Sequence, residues 1–483
     1  MKIYFQLLCF IGFLIPIYGQ ENLPWKISSP EEQGMNSITL INGIQHLKQE
    51  NINIHSLLII RNDHIVLDTY FYPFKKGYVH DLASVTKSIT SLLIGIAIDK
   101  GYIRDEDQLV FQYFPEYKIK NDTLLKLKIR DLLNMSSGFK CSWLNGENEL
   151  KQMNDSEDWV KFMFDLPFIS LPGTLFSYCS GNFYLLAEIL QRTTKMTCLD
   201  FAEKYLFEPL DFGQTFWENN DKGVNHGWGD LYLSTYDMAK IGYLILNDGK
   251  WSGREIISEE WLERIKPLYR ISGTESYGYG WWLDSENPDE IQAVGRGGQR
   301  LFIFKNKNTI IATTGGGFEA GDIDNLVLES INTYDRSKNY SLKLDSLSKT
   351  IQLPHPDIKM ADNRLPFNIL NKDFQFEKND LKIRTIRFEQ KNKDFFIIIC
   401  FTDESREEHL IGMNNEYIVS NGRQFGLPVA LKGLWENNNL IIYYNELCGI
   451  NLLKLSFTFS GNSADLNIND QTDGWTLSLK GKL

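Results

Sequence analysis

The stretch HDLASVTKSITSLLIGIAIDKG, residues 80–101, has the pattern of a buried helix with a serine in its first turn. Apolar side chains recur at helical spacing on one side and continue on the opposite side, which predicts burial all round. Lys100 and Gly101 suit the end of this helix, because a cation favours the negative C-terminal end and glycine adopts the left-handed conformation. Ser84 and Lys87 therefore share one face at the start of the helix.

The pairing of Ser84 with Lys87 is chemically specific. A serine hydroxyl is a weak nucleophile until a neighbour takes its proton, and a buried amine can do so because burial disfavours its charged form. Backbone N–H groups at a helix start also favour negative charge that develops on an acyl oxygen. The same spacing recurs at Ser137/Lys140 and Ser346/Lys349, in a turn and a polar stretch. A capped core helix with an extended lysine explains residues 80–101 equally well.

Length and charge set the broad class. A chain of 483 residues is too long for one ordinary core and predicts two domains. The formal net charge of -12, with no basic run, excludes a nucleic-acid surface from the expected partners.

The N-terminus predicts an export signal over residues 1–20, with Lys2 before an apolar run and Gly19 near a cleavage position. We therefore expect a periplasmic or secreted protein with no integral membrane span after the signal is removed. Without Cys9, five scattered cysteines remain, and they predict no disulfide framework. No cysteine or histidine spacing suggests a metal site.

The pattern along the chain predicts an α+β fold followed by an all-β domain. Strand-like stretches at both ends of residues 21–335, with helices between them, predict one antiparallel sheet flanked by helices, with a helical subdomain. Residues 336–365 are polar and are interpreted as a linker. Residues 366–483 alternate with a period of two, which predicts a small barrel or sandwich.

Three stretches carry the candidate chemistry: Ser84-x-x-Lys87, Tyr178-Cys179-Ser180 and Arg296-Gly297-Gly298-Gln299. A phenol near an amine and a cation loses its proton more easily, so Tyr178 could relay protons with Lys87. Taken alone, Tyr178 would be interpreted as a core tyrosine. Arg296 could bind a substrate carboxylate through two parallel hydrogen bonds, or act only on neighbouring groups.

With these stretches the chain resembles the serine β-lactamase and penicillin-recognising superfamily, in its class C-like branch. The resemblance covers about residues 25–335 and includes SPEEQG at 29–34, LLNMSSG at 132–138 and LYLSTYDMAKIG at 231–242. It implies a β-lactamase/transpeptidase-like α/β sandwich.

The resemblance also implies roles for individual residues, with Ser84 as the acylated nucleophile and Lys87 and Tyr178 as the base pair. It implies an oxyanion hole from the backbone N–H groups of Ser84 and Gln299. The remaining implied substrate contacts are Ser180, Arg296, Gly297 and Gly298.

The third stretch departs from the family pattern, because Gly297 lacks the hydroxyl that would bind a β-lactam carboxylate. We therefore expect an exported serine hydrolase for an amide, peptide or ester bond rather than an efficient β-lactamase. Its substrate would be a small molecule, peptide or ester, and the mechanism needs no cofactor or metal. The alternative is a receptor that acylates slowly or not at all, with the β-domain binding a partner.

Overall fold

A computed structural model describes residues 25–142, 147–318, 321–335, 338–354, 369–413, 416–436 and 439–483. The predicted signal at 1–20 lies outside these residues, as do residues 336–337 and 355–365 of the predicted linker. Within the described part of the chain, no helix is long and apolar enough to cross a membrane.

The first domain alternates short strands with helices. Its strands are β1 Lys26–Ile27, β2 Ile54–Arg61, β3 His64–Tyr70, β4 Val79–Asp81, β5 Phe216–Trp217, β6 Leu231–Ser234, β7 Lys250–Trp251, β8 Arg254–Glu255, β9 Tyr269–Ser272, β10 Glu275–Gly278, β11 Trp281–Asp284, β12 Glu290–Gly295, β13 Gln299–Phe304 and β14 Thr309–Gly315. Its helices are α1 Ser37–Gln49, α2 Val85–Asp99, α3 Ile129–Leu133, α4 Asn148–Asn154, α5 Trp159–Asp165, α6 Ser180–Thr194, α7 Cys198–Ala202, α8 Thr235–Leu246, α9 Glu259–Leu262, α10 Gly321–Asn332 and α11 Ser341–Ile351.

The main sheet has nine strands in the order β1-β3-β2-β14-β13-β12-β11-β10-β9. All neighbours are antiparallel except β1, which runs parallel to β3. Strand β2 from the start of the chain pairs with β14, for example Ile59 with Ile311. The predicted sheet, assembled from distant parts of the chain and flanked by helices, is thus confirmed.

Helices cover both faces of this sheet, as the side-chain alternation along β2 shows. Leu58 and Ile60 pack into the large core that contains α2, α6 and α8. Leu57 and Ile59 pack into a second core with apolar residues of α1, α10 and α11. Strand residues are buried on alternate faces because successive side chains point in opposite directions.

Helix α11 lies inside the range that the sequence analysis interprets as a linker. Leu344 and Ile351 are buried in the second core, and Ser348 hydrogen-bonds Thr69 of β3 at 2.7 Å. Its apolar residues recur at helical spacing, which accounts for a packed helix in an otherwise polar stretch.

The C-terminal domain is a ten-stranded antiparallel near-barrel, which confirms the predicted all-β domain. Its strands are β15 Asp373–Phe376, β16 Ile383–Lys391, β17 Asp394–Phe401, β18 Arg406–Ile411, β19 Ile418–Asn421, β20 Pro428–Glu436, β21 Asn439–Glu446, β22 Leu452–Ser460, β23 Ser463–Asp470 and β24 Thr476–Lys482. The order is β18-β17-β16-β15-β24-β23-β22-β21-β20-β19. A bridge between Gly412, just after β18, and Lys432 of β20 brings the two ends of the sheet together.

The near-barrel packs directly on the first domain. The backbone N–H of Asp81 donates a 2.7 Å hydrogen bond to the carbonyl of Cys448. Cys448 and Leu427 also form a small apolar cluster with Val79 and Tyr232. The contact therefore lies beside the strand that leads into α2.

Candidate active site

Ser84 stands at the N-cap of α2, with φ -72° and ψ -7°. Its hydroxyl makes no capping hydrogen bond to the helix. Ala83 before it has a left-handed φ of 45°, and its N–H donates to the Asp81 carboxylate at 2.8 Å. The turn thus presents Ser84 at the end of a helix that is buried from Val85 to Ala97, as predicted.

Lys87 lies directly behind the serine. Its side chain is almost completely buried, and Nζ donates to Ser84 Oγ at 2.8 Å and to the carbonyl of Trp228 at 2.9 Å. Nζ also lies 5.0 Å from the ring centroid of Tyr178. The structure therefore brings together the three residues predicted as nucleophile and base pair.

Tyr178 precedes α6 in a segment tied to the loop that follows α3. The Ser177 N–H donates to Met135 O at 2.7 Å, and Ser177 Oγ donates to Cys141 O at 2.6 Å. Cys179 forms a disulfide with Cys141, with Cα atoms 5.3 Å apart. The prediction of no disulfide was wrong, because the fold joins two cysteines 38 residues apart that form no recognisable spacing.

Aromatic rings surround the Tyr178 side chain. Its ring stacks on Trp282 at a centroid distance of 6.1 Å and meets Tyr277 edge-on at 6.3 Å. Burial and the neighbouring Tyr178 raise the pKa of Tyr277 well above its usual value. Tyr277 therefore remains a neutral phenol beside the site.

The third stretch forms the tight turn between β12 and β13. Gly297 and Gly298 have left-handed φ values of 84° and 94°, which glycine adopts without strain. A Cβ at Gly295 would meet Leu82 O at 2.5 Å, so the end of β12 lies against the nucleophile turn. Gln299 is paired with Gly295 across the strands, which places it next to that turn.

The Gln299 side chain has a structural role. It is fully buried, donates to Gly315 O at 2.8 Å and Arg296 O at 3.0 Å, and accepts from Gly315 N at 3.0 Å. These bonds hold the start of β13 in place. The sequence analysis predicts only the backbone N–H of Gln299 as an oxyanion-hole donor, and these side-chain bonds are compatible with that prediction.

Arg296 connects the site to the near-barrel. Its guanidinium forms an ion pair with Asp473 at 2.7 Å and donates to Asn451 Oδ1 at 3.0 Å. Ile450 of the same domain would collide with a Cβ at Gly297, at 2.4 Å. The β-domain, in which the sequence indicated no chemistry, thus forms part of the wall around the third stretch.

A cavity of about 460 Å³ opens over Ser84, and eleven residues line it. They include four predicted site residues besides the nucleophile, namely Tyr178, Arg296, Gly297 and Gly298. Lys87 and Gln299 are buried behind this lining.

Sequence reasoning missed several lining residues. Glu147 carries a carboxylate that accepts a hydrogen bond from Ser180 Oγ, and Ser180 itself is buried behind the lining. Trp282, Arg300 and Phe318 also line the cavity. Trp282 follows a glycine- and aromatic-rich stretch that could have suggested it, whereas nothing near Glu147 in the sequence points to the site.

Asp81, which supports the nucleophile turn, lies in an acidic environment. Burial raises its pKa to about 7, and the charges of Asp230 and Glu218 act in the same direction. The Ala83 N–H and Arg296 oppose this shift. In the described part of the chain, no group of three or more His, Cys, Asp or Glu side chains is arranged to hold a metal ion.

Comparison with known proteins shows the family of this chain. The Beta-lactamase family model matches residues 44–322. The chain is 24% identical over 280 residues to the 6-aminohexanoate-dimer hydrolase of Paenarthrobacter ureafaciens, covering 53% of this chain and 71% of that protein. It is also 24% identical over 262 residues to Penicillin-binding protein 4* of Bacillus subtilis, covering 47% of this chain and 56% of that protein.

Solved structures show the same fold at lower identity. The octameric penicillin-binding protein homologue from Pyrococcus abyssi has a TM-score of 0.50 and 16% identity, covering 92% of this chain and 99% of that chain. EstCE1, a hydrolase with promiscuous acyltransferase activity, has a TM-score of 0.52 and 13% identity, covering 61% of this chain and 98% of that chain.

Proposed function

Because the chain belongs to the Beta-lactamase family, we propose that it is a serine hydrolase that cleaves an amide, peptide or ester bond through an acyl-enzyme. The observation that carries the proposal is the 2.8 Å contact between Lys87 Nζ and Ser84 Oγ at the base of an open cavity. The relatives whose names state an activity are hydrolases, which supports the same class.

In the first step, Ser84 Oγ attacks the carbonyl carbon of the substrate, and its proton passes to Lys87 or Tyr178. Lys87 is within hydrogen-bond reach of the hydroxyl, and the Tyr178 ring lies beside Nζ. No histidine is found among the described residues that line the cavity. The base must therefore come from the lysine and tyrosine in this mechanism.

The tetrahedral oxyanion would be stabilised by the backbone N–H groups of Ser84 and Gln299. Support comes from Gly295, which lies against Leu82 and pairs with Gln299, so that the two donors belong to adjacent segments. Collapse of the intermediate breaks the scissile bond, and the leaving amine or alcohol takes the proton from the base pair. Water then attacks the acyl-enzyme and releases the acid.

The substrate contacts that we propose are Arg296, Gly297 and Gly298, whereas Ser180, which the resemblance implied as a further contact, is buried behind the lining. Gly297 has no hydroxyl for a β-lactam carboxylate, which favours amide, peptide or ester substrates over β-lactams. Arg296 is held at the cavity edge by Asp473, and Ser180 acts through its bond to Glu147.

We further propose that the protein functions outside the cytoplasm, in the periplasm or as a secreted protein. The apolar N-terminal stretch of residues 1–20 supports export. The Cys141–Cys179 disulfide beside the site also supports maturation in an oxidising compartment.

Turnover of a short-chain p-nitrophenyl ester tests the hydrolase proposal. Multiple turnovers per protein, with one covalent label from a fluorophosphonate at Ser84, are expected. A single burst without further turnover would favour the receptor that only acylates, and a label on Ser137 or Ser346 would overturn the assignment of the nucleophile.

A further inference from the structure

A second cavity of about 460 Å³ lies inside the near-barrel, and the mechanism does not use it. Its mouth is formed by Gln424 and Phe425 of the β-domain together with Glu218 of the first domain. Gln424 donates to Glu218 at 2.5 Å, and Phe425 stacks on Phe216 at 4.7 Å. The cavity therefore opens at the junction of the two domains.

The walls of this cavity are apolar. Pairs of residues two apart on the same strand face the cavity, as the period of two in a strand requires. They are Ile399 and Phe401 on β17, Leu453 and Leu455 on β22, with Leu381, Ile383 and Ile468 beside them. A lining of this size and character suits the apolar body of a small ligand.

The lining also includes the carboxyl groups of Glu218, Glu407 and Glu446, and that of Glu407 is fully engaged. Glu407 accepts hydrogen bonds from His409 at 3.1 Å, Tyr444 at 3.2 Å and the N–H of Arg423 at 3.0 Å. Burial disfavours its charge, but these donors outweigh burial and hold the pKa of Glu407 below its usual value. The His409 ring is fully buried and also contacts Ser420 at 2.7 Å.

Glu446 differs from Glu407, because no residue of the described chain donates a hydrogen bond to its carboxylate. Burial and the charge of Glu407 raise the pKa of Glu446, and His409 only partly opposes them. Burial and Asp230 similarly raise the pKa of Glu218 at the mouth. A buried carboxylate without a counter-charge is unfavourable unless a ligand supplies one.

Neither Arg423, the cationic side chain in the described lining, nor the nearby His409 supplies this counter-charge. Arg423 forms an ion pair with Asp403 and lies over the Phe401 ring at 4.6 Å, so its charge is engaged on the other side. His409 is bound to Glu407. Among the described residues of the lining, no cation is thus free to compensate an ionised Glu446.

We propose that this cavity binds a small amphiphile, with an apolar body against the strand residues and an ammonium group at the Glu446 carboxylate. Phe425 and Tyr444 add aromatic rings to the same lining, which suits a cation. The site is separate from Ser84, and the proposal does not rest on hydrolysis.

Calorimetric titration of the full chain at pH 7 with n-octylamine, 1-octanol and octanoate tests this proposal. The three probes share one chain and differ in charge. Octylammonium should bind with saturation and on the order of ten- to a hundredfold tighter than octanol, the size of a charged hydrogen bond. Octanoate binding that equals or exceeds octylammonium binding, or no saturable binding of octylammonium, would overturn the proposal.

Glu446→Gln keeps the shape of the side chain and removes its charge, so it should abolish the preference for octylammonium over octanol. Glu436→Gln is the matched control, because Glu436 is exposed on β20 of the same domain, away from the cavity. Leu455→Phe should weaken all three probes by filling the cavity, and thermal unfolding checks that it folds. If Glu147→Gln rather than Glu446→Gln removes the preference, the amine occupies the catalytic cavity and the proposal fails.

Discussion

The protein contains two cavities of nearly equal volume, each about 460 Å³, whose polar groups are organised in opposite ways. Over Ser84 the hydroxyl and amine bond one another, and the arginine at the edge is paired. In the near-barrel, Glu446 has no donor among the described residues. This difference shows that the volume of a cavity does not by itself identify what the cavity does. Paired groups suit a reaction that moves protons between them, whereas a carboxyl group without a donor or counter-charge suits a ligand that supplies both.

The largest expected effect is the loss of turnover on substitution of Ser84, which should affect one cavity and leave the other unchanged. Ser84→Ala removes the attacking oxygen, so kcat for a p-nitrophenyl ester should fall by several orders of magnitude. Octylammonium binding should persist, because the second cavity does not include Ser84. The control is Ser346→Ala, in an exposed Ser-x-x-Lys pair on α11 that should retain turnover. Equal losses of turnover in Ser84→Ala and Ser346→Ala would contradict the assignment of Ser84 as the nucleophile.

The next effect concerns the pairing of Lys87 with Tyr178. Lys87→Ala and Tyr178→Phe should each reduce kcat by on the order of a hundredfold or more, because each removes part of one proton path. The double variant should be about as slow as the slower single variant. Steady-state kinetics of all four proteins measure this coupling, and fully additive losses would show that the two side chains act independently.

A pH-dependent effect is expected at Asp81, whose environment includes Glu218 of one cavity and Arg296 of the other. Its pKa is raised to about 7, so the folded state keeps a proton that the unfolded chain loses near its ordinary value. This stability is fully present below about pH 4 and is lost as pH rises through about 7.

Asp81→Asn retains the acceptor for the Ala83 N–H and cannot ionise. Relative to the natural chain, its stability should rise by up to about 3 kcal/mol from pH 5 to pH 8, since natural Asp81 loses about 1.4 kcal/mol for each pH unit between pH 5 and its folded pKa of about 7. Denaturant unfolding at the two pH values measures the gain. Asp465→Asn, at an exposed position on β23, is the control and should show no such difference.

The smallest effect is expected at the ion pair that joins the catalytic cavity to the β-domain. Arg296 and Asp473 have side-chain exposures of 49% and 41%, and pairs of this kind contribute about 0–1 kcal/mol. Asp473→Asn should therefore change kcat/KM by less than about tenfold.

Arg296→Gln tests whether the pair also serves the substrate. If the guanidinium binds a carboxylate, KM should rise more for a carboxylate-bearing ester than for a neutral ester of similar size. Arg296→Gln and Asp473→Asn should combine non-additively, since both break one ion pair. An equal fall in kcat for both esters would show instead that Arg296 acts on proton transfer and does not bind the substrate carboxylate.

Local patterns in the sequence predicted the elements that depend on neighbours along the chain. The helix from Val85 to Asp99, the strand period of residues 366–483 and the two-domain class follow from periodicity and end signals. Ser84 and Lys87 share a face because a helix brings residues three apart together. Tyr178 and the 296–299 stretch were candidates by the chemistry of their side chains, the family resemblance implied their roles, and the fold places them beside that pair.

The tertiary structure alone decided the contacts between segments far apart in the chain. It joined Cys141 to Cys179, brought Glu147 to Ser180, and placed Asp473 of the near-barrel on Arg296. It also enclosed Glu446 in a cavity without a donor. The physical reason is that periodicity encodes which side of an element is buried, whereas the partner that covers that side is chosen by the packing of the whole chain.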